Sequence, residues 1–201
     1  MNVGIFRFEQ KIIPLDEWIS SFVDWLVLNY RDFFQAVKWP VEQTLNALNY
    51  GLSAVHPLVV IAAVGLAAWW VSSYRLAIFS IITLVTIGFL GLWQDTMTTL
   101  AMVLSSVVFC TVVGIPVGIC TGRNERFDSW LRPVLDAMQT TPAFVYLVPI
   151  VMLFSIGNVA GVLATIIFSL PPIIRLTGLG IRQVHPELVE AAQAFGATRW
   201  Q

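Results

Sequence analysis

The sequence predicts an all-α protein, a polytopic bundle of about five membrane-spanning helices preceded by an amphipathic N-terminal tail. Three observations carry this. Hydrophobic residues fill 57% of the 201 positions and charged residues 11%, whereas soluble domains hold about 45–50% apolar and about 25% charged side chains. A chain this poor in charge cannot clothe a soluble core in polar surface, so its solvent is a bilayer. Second, four long windows contain no Asp, Glu, Lys or Arg: 43–74, 76–94, 96–122 and 137–174. Third, the basic residues gather in alternate connections between those windows, the pattern that orients membrane helices. Eleven Lys plus Arg against 12 Asp plus Glu leave a net charge of −1, which gives a nucleic-acid partner no electrostatic support.

The tail, residues 1–56, is expected outside the membrane. Arg7, Glu9, Lys11, Asp16 and Glu17 interrupt its start, so no cleaved signal peptide is expected. From Asp16 to Lys38 the polar positions Glu17, Asp24, Arg31, Gln35 and Lys38 recur every three to four residues or multiples of that. Ile19, Phe22, Leu26, Tyr30, Phe33 and Val37 fill the opposite face of a helix. Pro40 is expected to end it, and Val41, Leu45, Leu48 and Leu52 mark a second apolar stripe. Two placements suit such a segment: lying on the outer leaflet, or packing against the bundle.

One span needs about 20 residues. The first three windows hold one each, near 57–74, 76–94 and 99–120. The last is 38 residues long, about 57 Å as a helix and nearly twice the hydrocarbon thickness. Gly157-Asn158 in its middle reads as a turn, which divides it into spans near 140–156 and 159–177. Arg75 then lies between the first two spans, and Arg123, Arg126 and Arg132 between the third and fourth. Arg175 sits at the inner end of the fifth, and Arg182 and Arg199 follow it. The connections at Gln94-Asp95 and Gly157-Asn158 carry no Lys or Arg. Basic loops mark the cytoplasmic side, so the 121–139 loop and residues 178–201 are expected inside and the N-terminus outside.

The spans themselves hold little chemistry. Asp95 and Arg175 read as boundary residues, the latter long enough to reach the headgroups. Cys110 and Cys120 are ten residues apart on one helix, about 15 Å of rise, too far for a bridge. They are small apolar fillers. His56 and His185 fall on opposite sides of the membrane, so no catalytic residue and no metal site is assigned. Gly114, Gly118 and Gly122 recur every fourth position and are assigned to helix packing, because small residues on one face let another backbone approach. Pro116, Pro142, Pro149, Pro171 and Pro172 interrupt the spans and imply kinks.

The last residues are the most specific. His185-Pro186-Glu187 opens a helix, with proline in the first turn and Glu187 and Glu190 near its positive end. Leu188, Ala191, Ala192 and Phe195 form one narrow apolar face, and Gly196 is a natural stop. This helix is too short and too polar to cross a bilayer. Its form suits docking into another protein, or resting on the inner leaflet.

Glu190-Ala191-Ala192-Gln193-Ala194-Phe195-Gly196 resembles the EAAxxxG signature of the membrane-spanning subunits of bacterial ABC importers. The stretch Thr99-Leu100-Ala101-Met102-Val103-Leu104, followed by Gly114-Ile115-Pro116-Val117-Gly118-Ile119, is similar to the opening of their transmembrane core. The run Arg132-Pro133-Val134-Leu135-Asp136-Ala137-Met138-Gln139-Thr140-Thr141-Pro142-Ala143-Phe144-Val145-Tyr146-Leu147-Val148-Pro149 resembles the permeases of glycine betaine and proline betaine uptake. Trp39-Pro40-Val41 with Thr44-Leu45-Asn46 fits the same subfamily.

The resemblance implies a type I ABC importer transmembrane fold. It divides the chain into the tail (1–56), two accessory membrane helices (57–94) and the transporter core (95–201). In such permeases the EAA segment leads into further spans, so a core ending at Gln201 is expected to be incomplete. The function implied is the permease subunit of an ATP-driven importer for betaine-type osmoprotectants in the bacterial inner membrane. Choline or carnitine is an alternative substrate. The implied partners are a cytoplasmic ABC ATPase, an extracytoplasmic substrate-binding protein, a second permease copy and the lipid bilayer.

Glu190, Ala191, Ala192, Phe195 and Gly196 would form the ATPase-coupling helix. ATP and Mg²⁺ would belong to the ATPase, with no cofactor on this chain. Its only lysines, Lys11 and Lys38, follow Gln10 and Val37 rather than the glycine of a phosphate-binding loop. Two other classes remain open on residues alone: a self-contained secondary transporter or channel, and a non-transporting membrane scaffold. Internal repeats and midplane polar sites would favour the first.

Overall fold

The computed structural model describes residues 15–198, and every regular element among them is a helix. In chain order these are α1 (Leu15–Asn29), α2 (Arg31–Ala54), α3 (Pro57–Val71), α4 (Tyr74–Phe89), α5 (Trp93–Arg123), α6 (Glu125–Thr140), α7 (Ala143–Phe154), α8 (Asn158–Arg182) and α9 (Pro186–Ala194). Their ends are set by local chemistry. His56 Nδ1 accepts the Leu58 amide at 3.3 Å and Pro57 opens α3. Ser73 caps α4, and Asn124 Oδ1 accepts the Arg126 and Phe127 amides at 3.0 and 3.2 Å to start α6.

The bundle is organised by α5 and α8, which run parallel. Ser106 Oγ donates to the Val162 carbonyl at 3.4 Å and Cys110 Sγ contacts the Ile166 carbonyl at 3.7 Å. Four residues on in α5 are thus matched by four residues on in α8. Parallel neighbours require the chain between them to return, and α7 turns back into α8 through 155–157. Along α5 lies α2 in the opposite order: Gln94 Nε2 donates to Ser53 Oγ at 3.0 Å, and Thr98 Oγ1 to Asn49 Oδ1 at 3.3 Å. Val41 and Leu45 of α2, Ala101 of α5, Ile150 of α7 and Ala160, Val162 and Leu163 of α8 form one buried cluster. The α3–α4 hairpin packs on itself, with Ile81 against Gly65.

One expectation about the tail is corrected, and one left open is narrowed. Pro40 does not end a helix but sits inside α2. A proline removes one amide and crowds the preceding turn, yet continuing the helix buries Val41 and Leu45 in the core, at 3% and 4% exposure. The break falls instead at Tyr30, between α1 and α2. The two apolar stripes also part company. Ile19, Phe22, Tyr30 and Phe33 are all at least half exposed, whereas Val41 and Leu45 are buried with Leu48 and Leu52 packed beside them. The second stripe is therefore the one that packs on the bundle.

By length and composition the described helices supply two spans, or up to four if each bent pair is one, against the five read from the charge-free windows. Among the described residues α5 and α8 are each long and apolar enough to cross a bilayer alone. Two bent pairs, α2 with α3 (99°) and α6 with α7 (98°), pass only when each pair is taken together. A window measures the distance between charges; a helix stops where its caps and prolines stop it.

Candidate functional site

The α5–α8 seam is closed by the glycines. A Cβ on Gly114 would lie 2.8 Å from Ile173 Cγ2, and one on Gly122 2.9 Å from Ile181 Cβ. At Gly118 it would meet Thr177 Cβ at 2.5 Å and the Ile174 carbonyl at 2.9 Å. From the facing side, a Cβ on Gly178 would stand 2.7 Å from Thr121 Oγ1. Ile173, Thr177 and Ile181 also recur every fourth position, so two matching rows interlock.

Beyond the seam, α6 is strapped to α8 by charge. Asp136 pairs with Arg175, and Asp128 accepts from Arg132 at 2.6 Å and from Arg182 at 2.9 Å. Arg182 also donates to the Thr121 carbonyl of α5 at 3.1 Å. Asp128 to Asp136 is two turns of α6, and Arg175 to Arg182 is two turns of α8, met in opposite order. Burial alone would push the Asp128 carboxyl up, but the hydrogen bonds and charges of Arg182 and Arg132 outweigh it and hold the group below its ordinary value. The Asp128 pairs are therefore complete at neutral pH and weaken only as the pH falls through that depressed value. Between these side chains is a cavity of about 360 Å³ floored by Leu135 and Ile174. Arg175, expected to reach the headgroups, is instead a member of this strap; the paired spacing of acids on one helix and arginines on another was the available signal.

The elbow between α6 and α7 is closed by two side-chain hydroxyls. Thr141 Oγ1 donates to the Ala137 carbonyl at 2.7 Å, and Tyr146 OH to the Met138 carbonyl at 2.8 Å. These satisfy carbonyls that a helix end leaves open.

The EAA-like segment is α9. Its end is a Schellman motif: the Ala197 amide donates to the Ala192 carbonyl and the Gly196 amide to the Gln193 carbonyl, each at 3.0 Å, with Gly196 at φ +84°. Glu190, Ala191 and Ala192 are exposed, and Phe195 is 94% exposed. A groove of about 870 Å³ runs between α9 and the end of α8, lined by Ile181, Val184, Leu188, Val189 and Ala192. His185 stands at the N-cap of α9 without a side-chain bond to it, and His56 caps α3. The two are not brought together.

Residues 114–201 match the family described as binding-protein-dependent transport system inner membrane component. Across 95% of its length the chain is 50% identical to the glycine betaine/proline betaine transport system permease protein of Escherichia coli strain K12, covering 54% of that protein. It is 41% identical to the glycine betaine transport system permease protein of Bacillus subtilis strain 168, over 94% of this chain and 67% of the relative. The glycine betaine/carnitine transport permease protein of Listeria monocytogenes is 42% identical, over 94% and 68%. The chain thus spans about half the length of the first of these relatives and about two thirds of the other two.

Proposed function

Because the chain belongs to the family of binding-protein-dependent transport system inner membrane components, we propose that it acts as the permease subunit of an ATP-driven importer for glycine betaine and proline betaine. The observation that carries the substrate class is the 50% identity with the Escherichia coli betaine permease along 95% of this chain. A separate cytoplasmic ATPase holds ATP and Mg²⁺, an extracytoplasmic binding protein delivers the betaine, and a second permease copy completes the path. On this reading Glu190, Ala191, Ala192, Phe195 and Gly196 carry the contact with the ATPase. Gly114, Gly118 and Gly122 keep the seam closed. The tail (1–56) lies outside, the hairpin (57–94) is accessory, and 95–201 belongs to the conducting core.

The test is uptake of labelled glycine betaine by cells lacking their own betaine transport and supplied with the full-length permease, its ATPase and its binding protein. Uptake should require all three and be competed by proline betaine more strongly than by choline or carnitine. Absence of uptake together with ATP hydrolysis indifferent to betaine would overturn the proposal. The orientation has its own check, in a background without Cys110 and Cys120. An impermeant thiol reagent should label Ser53→Cys in intact cells and Thr198→Cys only after permeabilisation. Labelling of Thr198→Cys from outside would reverse the topology.

A further inference from the structure

The coupling helix has an unusual support. None of the residues of α9 is buried. Among Gln183, Val184 and His185, which lead into it, no side chain bonds to another helix. The last side chain before α9 that holds other helices is Arg182, at the final position of α8. Its guanidinium reaches Asp128 of α6 at 2.9 Å and the Thr121 carbonyl of α5 at 3.1 Å. Three helices therefore meet at one side chain, four positions before Pro186. Thr121 lies on the seam itself: its Oγ1 donates to the Gly118 carbonyl at 2.8 Å and faces Gly178. Its carbonyl lies in the last turn of α5, where helical amides run out.

We infer that Arg182 is a positioning residue for transport: it fixes the base of α9 to α5 and α6, so that a displacement of α9 reaches the seam. This rests on the reading of the chain as an ABC permease. Coupling between subunits needs an element that contacts both sides and has two arrangements. A three-residue connection without an anchor would bend and absorb the movement. Arginine suits the anchor because one nitrogen, Nη2, serves both acceptors with its N–H bonds held in the guanidinium plane, whereas the ammonium of lysine is a rotating point charge on a flexible stem. Asp128 is held in turn by Arg132, which keeps its carboxylate aimed at the hub. The hub contacts neither substrate nor nucleotide in this scheme. It sets where α9 stands.

The experiment uses the full-length permease with Cys110 and Cys120 replaced. Spin labels are placed at Ser129→Cys on α6 and Gln193→Cys on α9, and uptake per ATP hydrolysed is measured in the assembled transporter. Arg182→Gln should broaden the distance distribution between the labels and lower uptake per ATP about tenfold, within the ordinary range of coupling between sites. ATPase retention and membrane abundance should hold. Arg182→Lys should recover part of both readings, and Asp128→Asn, which weakens the same pair from the other side, should broaden the distribution as Arg182→Gln does. If Arg182→Gln does not accumulate, Arg182→Lys and Asp128→Asn provide the same two readings. An unchanged distribution, or a broadened one with normal uptake per ATP, overturns the inference. A distribution that broadens and is partly recovered by Arg182→Lys, in a transporter that takes up no betaine even when unaltered, supports the anchoring of α9 and overturns the functional reading instead.

Discussion

Replacing Gly118 with Leu is expected to deplete the permease from membranes several-fold, with transport falling in proportion. The new Cβ alone would stand 2.5 Å from Thr177 Cβ and 2.9 Å from the Ile174 carbonyl. Neither atom can rotate away, because a Cβ is fixed by its own backbone and the carbonyl belongs to the backbone of α8. Overpacking costs about 1–3 kcal/mol where neighbours can adjust and more where they cannot, and a loss of about 1–2 kcal/mol is enough to change abundance several-fold. Gly180→Ala on the facing helix α8 is the control, because nothing lies within 4 Å of that position, and it should leave abundance unchanged. Immunoblots of membranes and thermal unfolding of the purified permease give the measurement. Normal abundance of Gly118→Leu with selective loss of betaine affinity would make Gly118 a lining residue rather than a packing one.

The second large effect is expected at the end of α9. Gly196 has φ of +84°, a conformation that costs an ordinary L-residue about 1–2 kcal/mol. The space around it is open, so Gly196→Asp would change the path of the chain and the local charge without a clash inside the permease. Glu190→Lys reverses a charge on an exposed turn of the same helix. Either variant should leave the spans inserted while betaine uptake falls by about an order of magnitude, the scale of a lost coupling interaction. Membrane extracts probed for retained ATPase, with uptake measured alongside, decide the matter. Both variants binding the ATPase and transporting at the normal rate would remove α9 from the coupling role.

How much of this was legible depends on how local the cause was. The ends of α9 are readable because Pro186 and Gly196 act within one turn. The break before Asn158 follows from a window too long to be one span. The glycine row can be seen on one face of α5, but its partner cannot, since the row Ile173, Thr177, Ile181 looks like any apolar helix face until the two are set parallel. Pro40 is misread by any local rule, because the gain that carries the helix through it is the burial of Val41 and Leu45 against residues more than fifty positions away. Arg175 fails for the same reason: its acid lies 39 residues upstream, on another helix.

The shortness of α7 has a consequence for the surrounding lipid. Its 12 residues rise about 18 Å, against a hydrocarbon layer about 30 Å thick. If α7 starts from one face with α8, the elbow at Thr141-Pro142 stops roughly 12 Å short of the other. The Asp136–Arg175 pair, joined 17 residues along α8 from Asn158, falls at about 26 Å on the same scale. Polar hydroxyls and two opposite charges would then lie at a depth where acyl chains should be. A bilayer can meet such a mismatch by thinning locally, at a fraction of a kcal/mol per Å, and water and headgroups follow it inward. On that placement the elbow acts as a dent-maker: the membrane would thin beside α7, and the Asp136–Arg175 pair, about 8 Å beyond the elbow, would stand in the hollow rather than in lipid.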